Sequence, residues 1–198
     1  MVIGNKEKWC RFSFVKVFEP ALTLSGTMSY SVQILIPKEH KDIIEAVKAE
    51  IERAKLLGVS KKMFTAAGAK LADWRGCIRD GDVECVTVDD GSKDYLKGHL
   101  FFNASCDEKR PPTVVNGKMQ PFINPNEFYS GCYGIVDVNF YPFAHGKGGV
   151  AAGLNHIMKK ADGERLDGRT SANQAFADLQ DDDDEITDSS KGDSADLR

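Results

Sequence analysis

The segment CYGIVDVNFYPF, residues 132 to 143, carries side chains that could hold a flat ligand. In an extended strand, alternate side chains point to opposite faces. The even positions Val136, Val138 and Phe140 are apolar and predict a side that faces a core. The odd positions mix aromatic rings with Asp137 and Asn139, and burying these polar groups without partners would cost free energy. This second side of the strand is therefore predicted to be wet.

Aromatic rings on a wet surface, close to cations, suit the bases and phosphates of single-stranded nucleic acid. A base stacked on a ring gains roughly 1–3 kcal/mol, while lysine and arginine contact the phosphates. Burial of a Phe in a core yields a similar ~1.5–3 kcal/mol, so only the direction of each ring separates the two roles. We predict as stacking rings Tyr133, Tyr141, Phe143, Trp74 and Tyr95, and as phosphate contacts Arg75, Lys97, Lys159 and Arg169.

The segment RFSFVKVFEP leaves the same two roles open. Under strict alternation Phe12, Phe14, Lys16 and Phe18 share one face of a strand. A lysine among three phenylalanines is either a residue at the core edge with its amine in water or part of a stacking groove. Both interpretations stand at this point.

Catalytic and metal chemistry have little support in the sequence. Five cysteines and four histidines include no CxxC, HxxxH or HxH spacing, so no zinc site is expected. HGKGG at 145–149 lacks the GxxxxGK[ST] spacing of a phosphate loop and predicts a hairpin turn. The carboxylates of RDGD at 79–82 and of the C-terminal run lack a rigid frame to hold metal ions about 4 Å apart. The sequence therefore predicts no metal, no cofactor and no catalysis.

Charge divides the chain into two parts. Residues 178–198 hold nine acidic and two basic side chains, a net charge of −7, which leaves 24 basic and 21 acidic side chains, a net of +3, in residues 1–177. We predict one domain at 1–177 and a disordered acidic tail at 178–198. No apolar run has the length of a signal peptide core or of a membrane helix. A cytoplasmic protein without a membrane partner is expected.

The predicted elements favour a small barrel. The first strand is expected to end at Pro20, and RDGD is expected to form a turn. A helix from Glu39 to Leu57 has an apolar stripe and stops at Gly58. Strands are predicted at 11–20, 27–37, 83–88, 98–106 and 128–143, with 149–160 a strand passing into a short helix, a weaker helix from Lys61 to Trp74, and a last helix starting at Ser171.

About five strands with inserted helices indicate a mainly β protein with an OB-like five-stranded barrel. An α+β sandwich remains the alternative fold. In the second strand, Met28, Tyr30, Val32, Ile34 and Ile36 are expected to face the core. The opposite side of that strand, with Ser29, Ser31 and Gln33, is expected to be wet or to bind a ligand.

Two segments resemble the OB-fold single-stranded-DNA-binding proteins of tailed phages and prophages: YSGCYGIVDVNFYPF and KGGVAAGLNHIMKKADGERLDGRTSANQAFADL. The similarity is strongest over 129–179 and continues more loosely through 9–179. Its specific features, in order, are Tyr129, Gly131 and Tyr133, the GLNHI segment at 153–157, and Gly168, Arg169 and Phe176. The resemblance implies an OB barrel that binds single-stranded DNA without sequence preference in phage replication, recombination or repair, within the host cytoplasm. Some relatives also bind duplex DNA.

Attached to such a protein, the acidic tail has two physical uses. It can compete with DNA from a short tether, or offer a negative peptide to basic surfaces of replication or recombination proteins. The chain ends SADLR, without the terminal aromatic residue that such tails often carry. Homo-oligomerisation is left open. The alternative functions are a strand-annealing recombination protein, which forms rings or filaments on DNA, and a small nuclease, for which no motif is present.

Overall fold

The computed structural model describes residues 1–23, 26–63, 77–87, 91–122, 124–145 and 148–166. Strands dominate these residues, as predicted. The strands are β1 Val2–Ile3, β2 Cys10–Leu22, β3 Met28–Pro37, β4 Arg79–Asp80, β5 His99–Asp107, β6 Thr113–Val115, β7 Tyr133–Phe143 and β8 Gly149–Ala161. The helices are α1 Lys41–Ser60 and α2 Gly81–Thr87, and short 3₁₀ turns lie at Asp94–Leu96 and Pro125–Glu127.

Five long strands form a closed ring. β2 pairs with β3, β3 with β5, β5 with β8, β8 with β7, and β7 again with β2. The β5–β8 contact is parallel and the other four are antiparallel. The closing contact is short, because β7 meets β2 only where Gly134 and Tyr133 lie opposite Cys10 and Arg11. The predicted mainly β, OB-like five-stranded barrel is confirmed.

The interior of the ring is filled by side chains that the alternation pattern assigned to the core. On β7, Val136 and Val138 are fully buried. Phe140 is half-buried, and its ring centroid lies 5.5 Å from that of Phe102. Helix α1 packs against β7 and β8 and adds its apolar stripe to the same core. The predicted stripe is confirmed, with these members buried: Ile44, Val47, Ile51 and Ala54.

A second, smaller apolar cluster lies outside the ring. Leu35 on β3 and Phe101 on β5 point away from the barrel interior and are covered by Cys85 and Leu96. The two covering residues belong to the excursion, residues 79–98, which links α1 to β5 across residues that the structure describes only in part. The excursion therefore closes one part of the outer face of β3 and β5 and leaves the rest of that face open.

A three-residue ionic contact ties the excursion to the end of β3. The Nζ of Lys38 lies 2.6 Å from Oδ1 of Asp80 and 2.6 Å from Oδ2 of Asp82. Hydrogen bonds from the ammonium lower the pKa of both carboxyls, and the same bonds raise the pKa of Lys38. The RDGD carboxylates thus hold the excursion in place. Within the part of the chain that the structure describes, no three His, Cys, Asp or Glu side chains are grouped to hold a metal ion.

Residues 79–87 do not form the predicted turn and strand. Arg79 and Asp80 pair with β5, and α2 begins at Gly81. The carboxylate of Asp80 accepts a hydrogen bond from the backbone N–H of Asp82 at 2.9 Å, which satisfies a donor at the helix N-terminus. Gly81 is required for packing instead of for a turn, because a Cβ there would lie 2.0 Å from the carbonyl oxygen of Leu96.

Three further element boundaries differ from the predictions. β2 continues through Pro20 to Leu22, and α1 continues past the buried Gly58 to Ser60. β8 stays extended to Ala161 because it pairs with β7 along almost all of its length and with β6 at Ile157 and its neighbours. The C-terminal part of the helix expected at 61–74, the helix expected from Ser171 and the acidic tail at 178–198 lie outside the described residues. No helix among the described residues is long and apolar enough to span a membrane.

Candidate nucleic-acid interface

A band of uncharged polar groups crosses the outer surface of the barrel. The strand register places Ser31 of β3 beside Ser105 of β5, Ser105 beside Gly153 of β8, and Gly153 beside Asn139 of β7. The next row pairs the exposed Asn103 with Gln33, which is buried and whose Nε2 donates a hydrogen bond to Asn103 Oδ1 at 3.3 Å. We call these residues the polar band: Ser31, Gln33, Asn103, Ser105, Gly153 and Asn139. Its amides and hydroxyls both donate and accept hydrogen bonds, as base edges do.

Glycine at the centre of the polar band leaves room for the side chain of Asn139. A Cβ at Gly153 would lie 2.5 Å from Oδ1 of Asn139. The absence of a side chain therefore allows the Asn139 amide to lie across β8. The result is a surface without a protruding side chain between β5 and β7.

Two aromatic rings border the polar band on the side of β2. Phe14 is 62% exposed, and its ring centroid lies 6.3 Å from that of Tyr95 in an edge-to-face arrangement. The Tyr95 hydroxyl donates a hydrogen bond to Oε1 of Gln33 at 3.3 Å. This contact fixes Tyr95, which the excursion carries, against the polar band. We call Phe14 and Tyr95 the ring pair.

The exposure of Phe14 results from a bulge in β2. The register between β2 and β3 shifts between Ser13 and Lys16, and Phe14 has a φ of +46°. For a bulky residue this left-handed conformation costs about 1–2 kcal/mol. Phe12 is fully buried, while Phe14 points to solvent, so the prediction that they share a face is wrong. The bulge assigns Phe12 to the core and Phe14 to the surface.

The other end of the polar band holds the predicted stacking ring Tyr141, which is 41% exposed. It lines a cavity of about 620 Å³ together with Asn139 and Gly153, and with the charged or titratable side chains of Arg110, Asp107, Asp137 and His156. Asp137 accepts a hydrogen bond from Nδ2 of Asn155 at 3.1 Å. The chain's N-terminal amine lies 3.3 Å from the same carboxylate. The cavity at Tyr141 therefore contains both acidic and basic side chains.

The three predicted rings of β7 do not meet at one point. Tyr133 and Tyr141 are eight residues apart, which is about 26 Å at the usual rise of a strand. Tyr133 is half-buried, with the guanidinium carbon of Arg11 5.6 Å from its ring centroid. Phe143 is half-buried at the last position of β7, opposite Gly149. Together these rings mark a line along β7.

The predicted cations differ in how they are held. The Nζ of Lys159 lies 2.6 Å from Asp162 Oδ1 and also donates to the carbonyl oxygen of Glu127, and its side chain is only 13% exposed. The hydrogen bond from Lys159 lowers the pKa of Asp162. These contacts favour a role for Lys159 in joining loops over a role in contacting phosphate. Lys97 forms an exposed ion pair with Asp94 at 2.8 Å, a kind of contact that exchanges at little cost.

Three predicted residues, Trp74, Arg75 and Arg169, lie outside the described residues. Among the predicted rings, the structure brings Tyr95 to the polar band, where its partner is Phe14. Sequence reasoning missed Asn103, although its position in the alternating segment FNAS between buried Phe102 and Ala104 was a usable signal. The prediction that the polar side of β3 is wet is wrong at Gln33, which is buried with its amide bonded to Tyr95 and Asn103. The position of Tyr95 could not be predicted from the sequence.

The chain is similar in sequence to known phage proteins. The family model described as Enterobacter phage Enc34, ssDNA-binding protein, matches residues 1–187. A protein named putative protein p50, from Acyrthosiphon pisum secondary endosymbiont phage 1, is 31% identical over 180 residues, which cover 85% of this chain and 90% of that protein.

Two solved structures extend the comparison. The single-stranded DNA-binding protein from bacteriophage Enc34 in complex with ssDNA is 25% identical, with a TM-score of 0.62, over 80% of this chain and 86% of that chain. The single-stranded DNA-binding protein gp2.5 of bacteriophage T7 is 14% identical, with a TM-score of 0.51, over 90% of this chain and 94% of that chain. The second likeness is one of fold alone.

Proposed function

The chain belongs to the family of phage single-stranded-DNA-binding proteins represented by that of Enc34, and from this membership we propose that it binds single-stranded DNA on the outer face of its barrel. Its role is in phage DNA replication, recombination or repair, as a binding protein without catalytic activity, in the cytoplasm of the host cell. The observation that supports this site is the ring pair beside the polar band, in which Phe14 is exposed and Tyr95 is partly exposed.

The chemistry of the face suits binding without sequence preference. Every base has a π face, so stacking on Phe14 and Tyr95 tolerates any sequence. The exposed amides of Asn103 and Asn139 each carry a donor and an acceptor, so they can pair with different base edges. The exposed amines of Lys16 and Lys97 lie on elements next to the ring pair and are proposed to contact phosphates.

The line of rings on β7 is proposed to lengthen the DNA track. Tyr141 continues the polar band beyond Asn139, and Phe143 follows at the end of the strand. Tyr133 lies at the opposite end of β7, next to Arg11. Trp74, Arg75 and Arg169 keep their proposed roles on sequence grounds.

A fluorescence titration tests the function directly. The titration follows the quenching of tryptophan fluorescence by oligo-dT of about 16 nucleotides, the upper site size for one barrel of this type. The affinity for this oligonucleotide is expected to be higher than the affinity for a duplex of equal length. The logarithm of affinity should fall with the logarithm of salt concentration by about 0.7 for each phosphate neutralised. Absence of binding to either nucleic acid contradicts the proposal, and equal affinities would extend the ligand class to duplex DNA.

The two alternatives are separated from this function by independent measurements. A strand-annealing protein forms rings or filaments on DNA, which size-exclusion chromatography with and without oligonucleotide detects. A nuclease shortens a labelled oligonucleotide when magnesium is added. The proposed function expects a discrete complex and an intact oligonucleotide.

The acidic residues 178–198 are proposed to act on the same face as an internal competitor for DNA, and to offer a negative peptide to basic surfaces of replication or recombination proteins. Truncation after Asp178 removes most of this charge and is expected to tighten DNA binding at low salt. The measurement is the same titration at two salt concentrations, because screening should reduce the difference. Unchanged or weaker binding by the truncated chain contradicts the competition.

A further inference from the structure

We propose that a groove beside the ring pair is a second contact site for the same DNA strand, holding a nucleotide that leaves the polar band. This inference rests on the proposed function. The groove runs between the second half of β2 and the segment at 125–130, and has a volume of about 510 Å³. Volumes of about 300–1,000 Å³ are usual for sites that hold small ligands. Its principal side chains are Lys16, Phe18, Asn126, Phe128, Tyr129 and Arg165.

The groove contains a planar cation stacked on an aromatic ring. The guanidinium carbon of Arg165 lies 3.9 Å from the ring centroid of Tyr129. Its Nη2 is 3.5 Å from the carbonyl oxygen of Asn126, at the limit of a hydrogen bond. A guanidinium held by its face presents N–H donors in a plane that suits a phosphate or the face of a base.

The ring beneath Arg165 is itself fixed in place. The Tyr129 hydroxyl lies 2.9 Å from Oδ1 of Asp162 and 3.0 Å from the carbonyl oxygen of Gly163, to either of which it can donate. Burial, aided by the hydrogen bond to Asp162, raises the pKa of Tyr129 to about 12, so the hydroxyl stays neutral. The site therefore has a preformed wall, which reduces the entropy lost when a ligand binds.

The floor of the groove is apolar. The ring centroid of Phe18 lies 6.4 Å from that of Phe128 in an edge-to-face arrangement, and Phe128 is buried. One wall is the edge of β2 that faces away from β3. That edge pairs with β7 only at Cys10 and Arg11. Val17 and Glu19 lie in an irregular part of β2, between Lys16 and Ala21, and have no register partner on β3. An apolar floor and cationic walls are the combination that single-stranded nucleic acid requires.

Lys16 connects the groove with the polar band. It lines the groove and also lies opposite Ser31 in the register of β2 and β3. It is two residues from Phe14, so a strand stacked on the ring pair passes over Lys16 to reach the groove. Glu19 is the acidic side chain among the lining residues, and its charge favours a path in which the phosphates contact Lys16 and Arg165.

An extended peptide is the other class of ligand that an unpaired strand edge accepts. Peptide binding by strand addition depends on backbone hydrogen bonds and makes no use of a guanidinium stacked on Tyr129. The continuity with the ring pair through Lys16 likewise favours DNA. DNA in the groove, unlike a peptide, predicts that a substitution at Arg165 affects binding of a long oligonucleotide more than binding of a short one.

The test compares two lengths of oligo-dT on the full chain. One of about 5 nucleotides should fill the polar band, and one of about 16 nucleotides should also enter the groove. Arg165→Ala is expected to weaken binding of the longer oligonucleotide about fivefold and that of the shorter by less than about twofold. For the longer oligonucleotide, the slope of the logarithm of affinity against the logarithm of salt concentration should become shallower by about 0.7, the contribution of one phosphate.

Two further variants control this experiment. Arg53→Ala removes the same charge from an exposed position of α1, where Arg53 is 77% exposed and pairs with Glu50, and should change neither affinity. Arg165→Lys keeps the positive charge but removes the planar group that stacks on Tyr129. It replaces the alanine variant in the test if Arg165→Ala has a lowered melting temperature. Arg165→Lys should lose less affinity than Arg165→Ala, and only for the longer oligonucleotide.

Each outcome has a definite meaning. If wild type and Arg165→Ala bind the longer oligonucleotide with equal affinity, the proposal that the groove binds DNA is wrong. A peptide is then the remaining class of ligand for the groove. An equal loss for both lengths also overturns it, because Arg165 would then act on the central site or on the fold. If wild type binds neither oligonucleotide, the proposed function fails first, and the two failures are therefore distinguishable.

Discussion

Replacement of Phe14 by alanine is expected to weaken oligo-dT binding by about tenfold or more, since one base stacked on an aromatic ring contributes roughly 1–3 kcal/mol. Phe14 is the most exposed aromatic ring among the described residues and lies edge-to-face with Tyr95. Its removal takes away a stacking surface and leaves Tyr95 without its neighbour. Tyr95→Ala is expected to have a similar effect, with some loss of local order because its hydroxyl holds Gln33.

The same position allows affinity and stability to be separated. Phe14 has a φ of +46°, which glycine adopts without the steric cost that a Cβ imposes. In Phe14→Gly, relief of about 1 kcal/mol of backbone strain opposes a similar entropic cost of glycine in the unfolded chain. The free energy of unfolding should therefore change little while DNA affinity falls as in the alanine variant. Denaturant unfolding and fluorescence titration measure the two quantities.

Two substitutions serve as controls for the ring at this position. Phe14→Trp keeps a stacking surface and is expected to retain most of the affinity. Val86→Ala removes an exposed apolar side chain from α2, on the excursion, and should have no effect on binding. The assignment of the ring pair is wrong if Phe14→Ala and Tyr95→Ala both bind oligo-dT within twofold of wild type while their melting temperatures are retained.

The largest effect on stability is expected from Gly134→Ala. Gly134 lies where three strands meet, opposite Cys10 of β2 and Lys159 of β8. A Cβ there would lie 2.1 Å from the carbonyl oxygen of Met158 and 2.9 Å from Cε2 of Phe12. Neither atom can move freely, because one belongs to the β7–β8 ladder and the other to a fully buried ring. We expect a loss of about 3 kcal/mol or more in the free energy of unfolding.

Thermal and denaturant unfolding measure this loss, with Gly117→Ala as the matched control. The change of composition is identical, but a Cβ at Gly117 would have a single neighbour at 3.8 Å, the carbonyl oxygen of Lys159. The control should unfold like wild type. If Gly134→Ala also does so, the closing contact between β2 and β7 is not as close as the structure has it.

The predictable part of the fold is the part governed by periodicity. The buried positions of β7 and the stripe of α1 follow from side chains that recur every two or every 3.6 residues, since one large core selects for both patterns. Val136 and Val47 illustrate this, and both are fully buried. The small barrel was also predictable, because the number and lengths of the expected strands suit one, although the order of the strands was not predicted.

The parts that could not be predicted depend on contacts between distant segments. The segment VECVTV has strand propensity, but among its described residues 83–87 only Cys85 is buried. A hydrogen bond to the carboxylate of Asp80 caps α2 and favours the helix. Strict alternation failed at Phe14 because a bulge is a local insertion that periodicity does not reveal. For the site, Tyr95 could be named as a ring, but its position depends on how the excursion folds back over Leu35 and Phe101.

The small apolar cluster outside the barrel has a consequence for how tightly any ligand is held. One ring of the ring pair belongs to the barrel, and the other belongs to a segment held by four buried side chains and the Lys38 contact. Such a segment can open locally without unfolding of the whole domain. Because an apparent dissociation constant rises as the competent fraction falls, affinity for DNA depends on the local equilibrium that seats Tyr95. Substitutions at the buried Cys85 or Leu96 would thus weaken binding by lowering the population of the complete face.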